Sequence, residues 1–394
     1  MHQPPAPPDR HPRCRIDTRL PGSGQAMSLI ASGPARQWQA RNADGLIGQL
    51  AGAVDELVAS GSAGLLVGLL PYPDDGGAMQ VRLPARMAFF DHFRRSVPGS
   101  PTDDEANIAG HSDPFRLTRR FIPDWTRDGY MAAVRRVQDY LVAGDAYQVN
   151  LAQRFTAGYE GDPRVAFDLL RARFTPPYAA WLDFGDWQVL CLSPESFLEV
   201  DGRCVTTRPI KGTRARGADP AADAALAADL VTHPKDRAEN LMIVDLLRND
   251  LGKVCAPGSI RTPELFQVES FHNVHHLVST VTGTLPAGVG MQQLLAACFP
   301  GGSITGAPKR RAMEIINELE PHPRAIYCGT IFWATADGQF GSNIAIRTFV
   351  TCNGVLHGWA GAGIVADSDP ATEYQECLDK LAPLMHAIED HFLE

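Results

Sequence analysis

At 394 residues, 44% hydrophobic and 21% charged, the chain has the length of one large or two ordinary domains and an ordinary globular composition. A formal net charge of −9 argues against a nucleic-acid groove as its main business, while leaving room for a locally basic site that takes an anionic substrate. Eight scattered cysteines with no Cys-x-x-Cys pair read as reduced thiols in the cytoplasm, not a disulfide framework or zinc site, and no run of ~18 apolar residues is present to span a membrane.

Residues 1–26 are rich in Pro and Arg and lack an apolar core, so they are not a signal peptide. They read as a disordered tail, or as an upstream extension of a chain whose natural start is Met27. In residues 27–125, Leu46, Ile47, Leu50, Val54 and Leu57 recur at helical spacing and predict a helix over 44–60. A short apolar strand over 64–70 is closed by Pro71 and Pro73, and 98–116 reads as loop. Residues 126–394 carry every candidate for chemistry.

That larger part opens with an amphipathic helix over 128–143 that Gly144 ends. Alternation predicts a half-buried strand over 147–155. A helix over 165–174 stops at Pro176-Pro177, and strands follow over 179–184, 188–191, 196–200 and 204–207. Helices are predicted over 219–232 and 235–251, then a single strand over 268–284, a short helix over 291–298, a loop over 299–308 and a helix over 309–319. Strands over 325–333, 340–352 and 355–360 precede a last helix, with Asp369 as N-cap and Pro370 at its first position. Hairpin-like strand spacing without regular βαβ alternation makes the fold class α+β with large antiparallel sheets.

Several stretches carry chemistry. Lys211 stands in Arg208-Pro209-Ile210-Lys211-Gly212-Thr213, read as a Pro/Gly turn; burial of its ammonium would lower its pKa toward a nucleophilic amine. Glu373, Glu376 and Lys380 share one face of the last helix, a pair of carboxylates suited to Mg²⁺ or, more plainly, a solvated face with one ion pair. Glu239 offers another carboxylate, equally readable as a charge complementing the helix dipole. The loop 301–309 resembles a phosphate loop but fails that test, because Ala307-Pro308 stands where Gly-Lys should lead into Ser or Thr. His272, His275 and His276 lack a completing Cys or Asp for a metal site. In Ser193-Pro194-Glu195 a carboxylate at a strand end, flanked by Leu192 and Phe197, suits a general acid once desolvated.

Taken together, these stretches resemble the chorismate-utilising enzymes over roughly 128–381. The resemblance is carried by 143–151 (Ala-Gly-Asp-Ala-Tyr-Gln-Val-Asn-Leu), 193–195, 209–213, 236–251, 301–309, Asn343-Ile344-Ala345-Ile346-Arg347-Thr348 and 361–380. It implies face-to-face antiparallel sheets with helices outside and a Mg²⁺ site held by Glu239 and Glu376, with Glu373 close by. It also implies that Tyr327, Arg347, Gly361, Gly363 and Lys380 hold the carboxylates of chorismate, with Thr305 and His276 lining the site and Glu195 protonating the departing hydroxyl. At the position of Gln148, isochorismate and salicylate synthases have a water-activating lysine. At the position of Lys211, anthranilate synthases have alanine and aminodeoxychorismate synthases a lysine. The implied reaction is amination of chorismate to 4-amino-4-deoxychorismate, toward 4-aminobenzoate and folate, through a covalent Lys211 adduct. No glutaminase nucleophile motif is present, so the resemblance implies that ammonia comes from a separate glutamine amidotransferase subunit. Residues 27–125 lack the Leu-Leu-Glu-Ser signature of tryptophan feedback in anthranilate synthases.

Overall fold

The computed structural model describes residues 11–393 apart from 22, 34, 60–63, 74–83, 98–112 and 272–273. Two antiparallel sheets form a sandwich around one continuous apolar core, the α+β architecture expected. In spatial order the first sheet runs Gly306–Ala307, Gln148–Glu160, Val355–Ile364, Thr348–Cys352, Gln188–Ser193, Tyr178–Asp183, Arg13–Arg19, Ala26–Ser32 and Arg94–Ser96. The second runs Ile210–Ala215, Val274–Thr284, Cys204–Thr207, Ser196–Asp201, Phe340–Asn343, Thr330–Thr335, Leu65–Leu70, Ala85–Phe90 and Arg36–Ala40, with Arg261–Ser270 paired to Val274–Thr284. No helix among the described residues is long and apolar enough to cross a membrane.

The longest pairing in the first sheet sets the floor of the site. Gln148–Glu160 and Val355–Ile364 align with Asn150 opposite Gly363 and Ala152 opposite Gly361. Because side chains alternate across a strand, positions 148, 150 and 152 share one face with 361 and 363. The last helix, Pro370–Phe392, packs on the Val355–Ile364 strand. It starts as the sequence predicts, with the Asp369 carboxylate accepting from Thr372 N and Pro370 in the first turn.

Four expectations are corrected. The supposed disordered tail contains the strand Arg13–Arg19, paired on both sides, with Ala26–Ser32 and with Tyr178–Asp183. Its charges misled because they are paired inside the fold: Arg15 Nε donates to Asp17, Ser28 Oγ donates to the same carboxylate at 2.7 Å, and Arg13 reaches Asp183 at 2.6 Å. The single strand expected over 268–284 is a hairpin, reversing where Phe271 N donates to Val274 O. The strand expected over 340–352 breaks at 344–347, where Arg347 takes a left-handed backbone (φ 51°). The one expected over 325–333 begins only at Thr330, after a turn holding Ala325 and Cys328 at positive φ. The loop predicted over 98–116 lies largely outside the described residues.

Behind the site, a buried ion pair ties the turn after Leu319 to the floor. Arg324 and Glu320, with side chains 1% and 5% exposed, meet at 2.5 Å. Glu320 also accepts from Ala152 N, while Arg324 donates to Ile304 O and Asn150 O. Replacing Glu320 by Ala strands a buried guanidinium, and we expect a loss of about 3–5 kcal/mol of stability, read as a lower midpoint in chemical denaturation.

Candidate active site

A cavity of about 650 Å³ lies between the sheets, with walls from both. From the second sheet come Lys211 and Thr213 on Ile210–Ala215 and His276 on Val274–Thr284; from the first come Asn150, Gly361 and Gly363. Two helices close the mouth. Pro234–Gly252 brings Lys235, Asp236 and Glu239, and Pro370–Phe392 brings Glu373, Glu376 and Lys380. Glu195, Ser303, Tyr327 and Arg347 complete the wall.

Lys211 does not sit in a turn as the Pro209 and Gly212 signals suggest. It lies on a strand whose register slips between Ile210 and Thr213, a bulge that Gly212 permits at φ 88°. A Cβ at Gly212 would come within 2.9 Å of Leu230 and 3.0 Å of Asp236, so the chain passes tightly over helices there. The bulge turns Lys211 Nζ onto Ser303 O at 3.2 Å, and Ser303 Oγ donates to Glu195 Oε1 at 3.2 Å. One loop residue thus links the amine and the acid.

Burial shifts both groups toward their uncharged forms. Burial pushes the Glu195 carboxyl up to about 7, against the opposing pull of Lys211 and the Ser303 hydrogen bond. Burial pushes Lys211 below the usual lysine value, helped by Lys380 and opposed by Glu239 and Glu195. Both shifts run in the direction that nucleophilic attack with leaving-group protonation needs, toward the acid form of Glu195 and the free amine of Lys211. Burial, with Arg347 nearby, brings His276 down to about 4, so its ring is neutral at pH 7 and shares a 2.9 Å hydrogen bond with Thr213.

The three glutamates line the mouth together. Burial raises Glu239 and Glu373, and Glu376 adds to both. At Glu376 burial also raises, but Lys380 at 2.8 Å together with Lys235 and Lys211 pulls the other way, and the net shift is downward. Lys380 Nζ also donates to Gly361 O, and Ser368 Oγ to Glu373. Lys235, half exposed, spans the mouth at 4.0 Å from Glu239 and 3.9 Å from Glu373. Among the described residues no three His, Cys, Asp or Glu form a converged metal cluster. The three side chains offer only carboxylate oxygens, the donors that a hard divalent cation takes.

Eleven of the residues singled out from sequence line this cavity: Glu195, Lys211, Glu239, His276, Tyr327, Arg347, Gly361, Gly363, Glu373, Glu376 and Lys380. Thr305 and Gln148 do not. Thr305 is wholly buried beneath the loop, its hydroxyl bonded to Gly301 O and Gly302 O. Gln148 is 2% exposed and packs over Gly363, where a Cβ would stand 2.5 Å from its Nε2. His275 turns away to Ser270 and Asp223, and His272 lies outside the described residues. Sequence reasoning passed over Ser303, Lys235 and Arg214, which pairs with Asp236 at 2.8 Å and so ties the Lys211 strand to the Glu239 helix. A serine or a charge in a first helical turn carries no signal of its own; only the cavity brings these residues together.

The fold and this cavity are those of a chorismate-utilising enzyme: the chain belongs to the chorismate binding enzyme family, whose description matches residues 89–386. Aminodeoxychorismate synthase component 1 of Klebsiella aerogenes is 50% identical over 307 residues, 76% of this chain and 68% of the relative. Anthranilate synthase component 1 of Thermus thermophilus is 46% identical over 338 residues, 80% of this chain and 73% of the relative. Among solved structures, anthranilate synthase component I from Streptococcus pneumoniae superposes with a TM-score of 0.71 at 27% identity, covering 98% of this chain and 94% of that one.

Proposed function

We propose that this chain is the synthase component that aminates chorismate to 4-amino-4-deoxychorismate in the cytoplasm, using ammonia from a separate glutamine amidotransferase subunit. Relatives of 50% and 46% identity bear different activities in their names, so identity alone does not choose between them. The observation that carries the reading is Lys211 itself, a partly buried amine of lowered pKa joined through Ser303 to a raised carboxyl. An enzyme acting without a lysine nucleophile has no use for that arrangement.

In this reading Arg347, Lys380 and Tyr327 orient the two carboxylates of chorismate, the guanidinium pairing best with a planar carboxylate. Glu239 and Glu376, with Glu373 beside them, would hold Mg²⁺, which when bound neutralises the ring carboxylate and draws electron density from the ring. Neutral Lys211 Nζ forms a bond to C2 as the C4 hydroxyl leaves, taking the Glu195 proton to become water. Ammonia then forms a bond to C4, the C2–N bond breaks, and the pair returns to Lys211 as a neutral amine. The new C4 ammonium gives one proton back to the Glu195 carboxylate, restoring the acid. The enolpyruvyl group stays attached.

The test is incubation of the full chain with chorismate, Mg²⁺ and an ammonium salt, with the product identified by mass. Aminodeoxychorismate with no pyruvate released is the expected result. Fluorescent anthranilate with an equivalent of pyruvate would assign the chain to the sibling activity, with Lys211 a bystander.

A further inference from the structure

The loop 299–308 is closed at its base by one side chain. Lys309, the residue that follows it, extends Nζ back to Cys298 O at 3.1 Å, the carbonyl just before the loop, and to Asp250 Oδ2 at 2.7 Å. Asp250 stands near the end of the Pro234–Gly252 helix with its side chain 1% exposed, and its other oxygen accepts from Lys253. The loop also lies directly on that helix, since a Cβ at Gly302 would fall 2.2 Å from Leu246 Cδ2. Within the loop, Thr305 Oγ1 donates to Gly301 O and Gly302 O, and Ile304 O accepts from buried Arg324. Ser303 is where the loop meets the reacting pair. Its carbonyl accepts from Lys211 Nζ and its hydroxyl donates to Glu195, both at 3.2 Å.

Resting on the amination reading above, we propose that Lys309 and Asp250 are positioning residues for the reaction, holding Ser303 where it sets the Lys211 amine and the Glu195 acid against each other. Neither lines the cavity. A buried ion pair adds little net stability over apolar packing, because losing water from both charges offsets their attraction. It does fix direction. A lysine that must reach an acid and a carbonyl at once leaves the base of the loop one arrangement, where apolar contacts would let it slide. Both Ser303 bonds stand at the long end of the ordinary range, so a small outward slip of the loop breaks them. The same helix brings Glu239 to the mouth about three turns before Asp250, so the loop and that carboxylate share one rigid support. The consequence is readable at Glu195. The Ser303 hydroxyl favours its charged form, as do Lys211, Lys380 and Arg347 facing it, and burial opposes them. Removing the hydroxyl therefore raises the carboxyl further.

The experiment is the pH profile of kcat/KM, followed as chorismate consumed and with the product identified by mass. The proteins are wild type, Ser303→Ala, Lys309→Met, the combined Ser303→Ala/Lys309→Met, and Asp250→Asn/Lys309→Met. Ser303→Ala is expected to move the alkaline limb up by about one pH unit, the size of one hydrogen bond to a charged group. Lys309→Met is expected to move it the same way and to lower kcat about 10²-fold, the scale of a slip of about one ångström, with the chorismate KM within about twofold. In the combined variant Ser303→Ala then adds no further shift, because the hydroxyl has already left Glu195. Asp250→Asn/Lys309→Met leaves no buried charge unpaired, so the same shift is expected in it, and it decides the matter if Lys309→Met fails to fold. A limb that stays in place while only the thermal midpoint falls, or shifts that add in the combined variant, overturns the positioning role. A wild type that turns chorismate into another product removes the amination reading instead, while the profiles still judge the position of Ser303.

Discussion

Lys211→Ala is expected to lower aminodeoxychorismate formation by at least roughly 10³-fold, the scale on which loss of a covalent nucleophile is felt. The variant should still bind chorismate, because the carboxylate partners Arg347 and Lys380 are separate residues of the wall. Its strand should survive, since the Lys211 side chain makes one hydrogen bond, to Ser303 O. Saturating ammonium should not rescue it, because ammonia enters at C4 only after the amine has added at C2. The check is single-turnover mass spectrometry on both proteins, where wild type traps a protein-bound adduct and the variant does not. Turnover with ammonia that survives the substitution unchanged removes the covalent route.

Glu195→Gln should cost about 10²–10⁴-fold in kcat, the range for a positioned general acid, and should reshape the pH profile. The active state needs Glu195 protonated and Lys211 neutral. With its carboxyl raised to about 7 by burial, Glu195 loses its proton as pH rises past that value, which gives wild type an alkaline limb in kcat/KM. Lys211, lowered by burial, becomes neutral as pH rises through its depressed value, giving the acid limb. Glutamine cannot titrate, so the alkaline limb should vanish in the variant while the acid limb remains. An alkaline limb that persists at the same pH in Glu195→Gln assigns it to another group.

Much of this was legible in the chain because local rules and tertiary structure agreed. The Asp369-Pro370 start and the 3-and-4 spacing of Glu373, Glu376 and Lys380 needed only helix geometry, and the cavity uses that face. Lys211 was found for the wrong local reason. Pro209 and Gly212 announce a turn, and a bulged strand uses the same residues, so only the pairing to Val274–Thr284 tells them apart. The break at Arg347 was invisible because the turn over 344–347 is held by long-range bonds, Ala345 N to Gly329 O and Cys328 N to Ala345 O.

The Arg13–Arg19 strand has a bearing on how the protein can be made. It contributes nothing to the cavity wall, so a shortened version beginning at Met27 would retain every reacting group. Such a version would nevertheless leave Tyr178–Asp183 as a bare rim and Ala26–Ser32 joined to the short Arg94–Ser96 strand without its longer partner. Asp183 would also lose its Arg13 partner. Rows of open amides and carbonyls like these invite neighbouring molecules to zip on, so the danger in trimming this end is insolubility, with the chemistry intact in whatever stays dispersed.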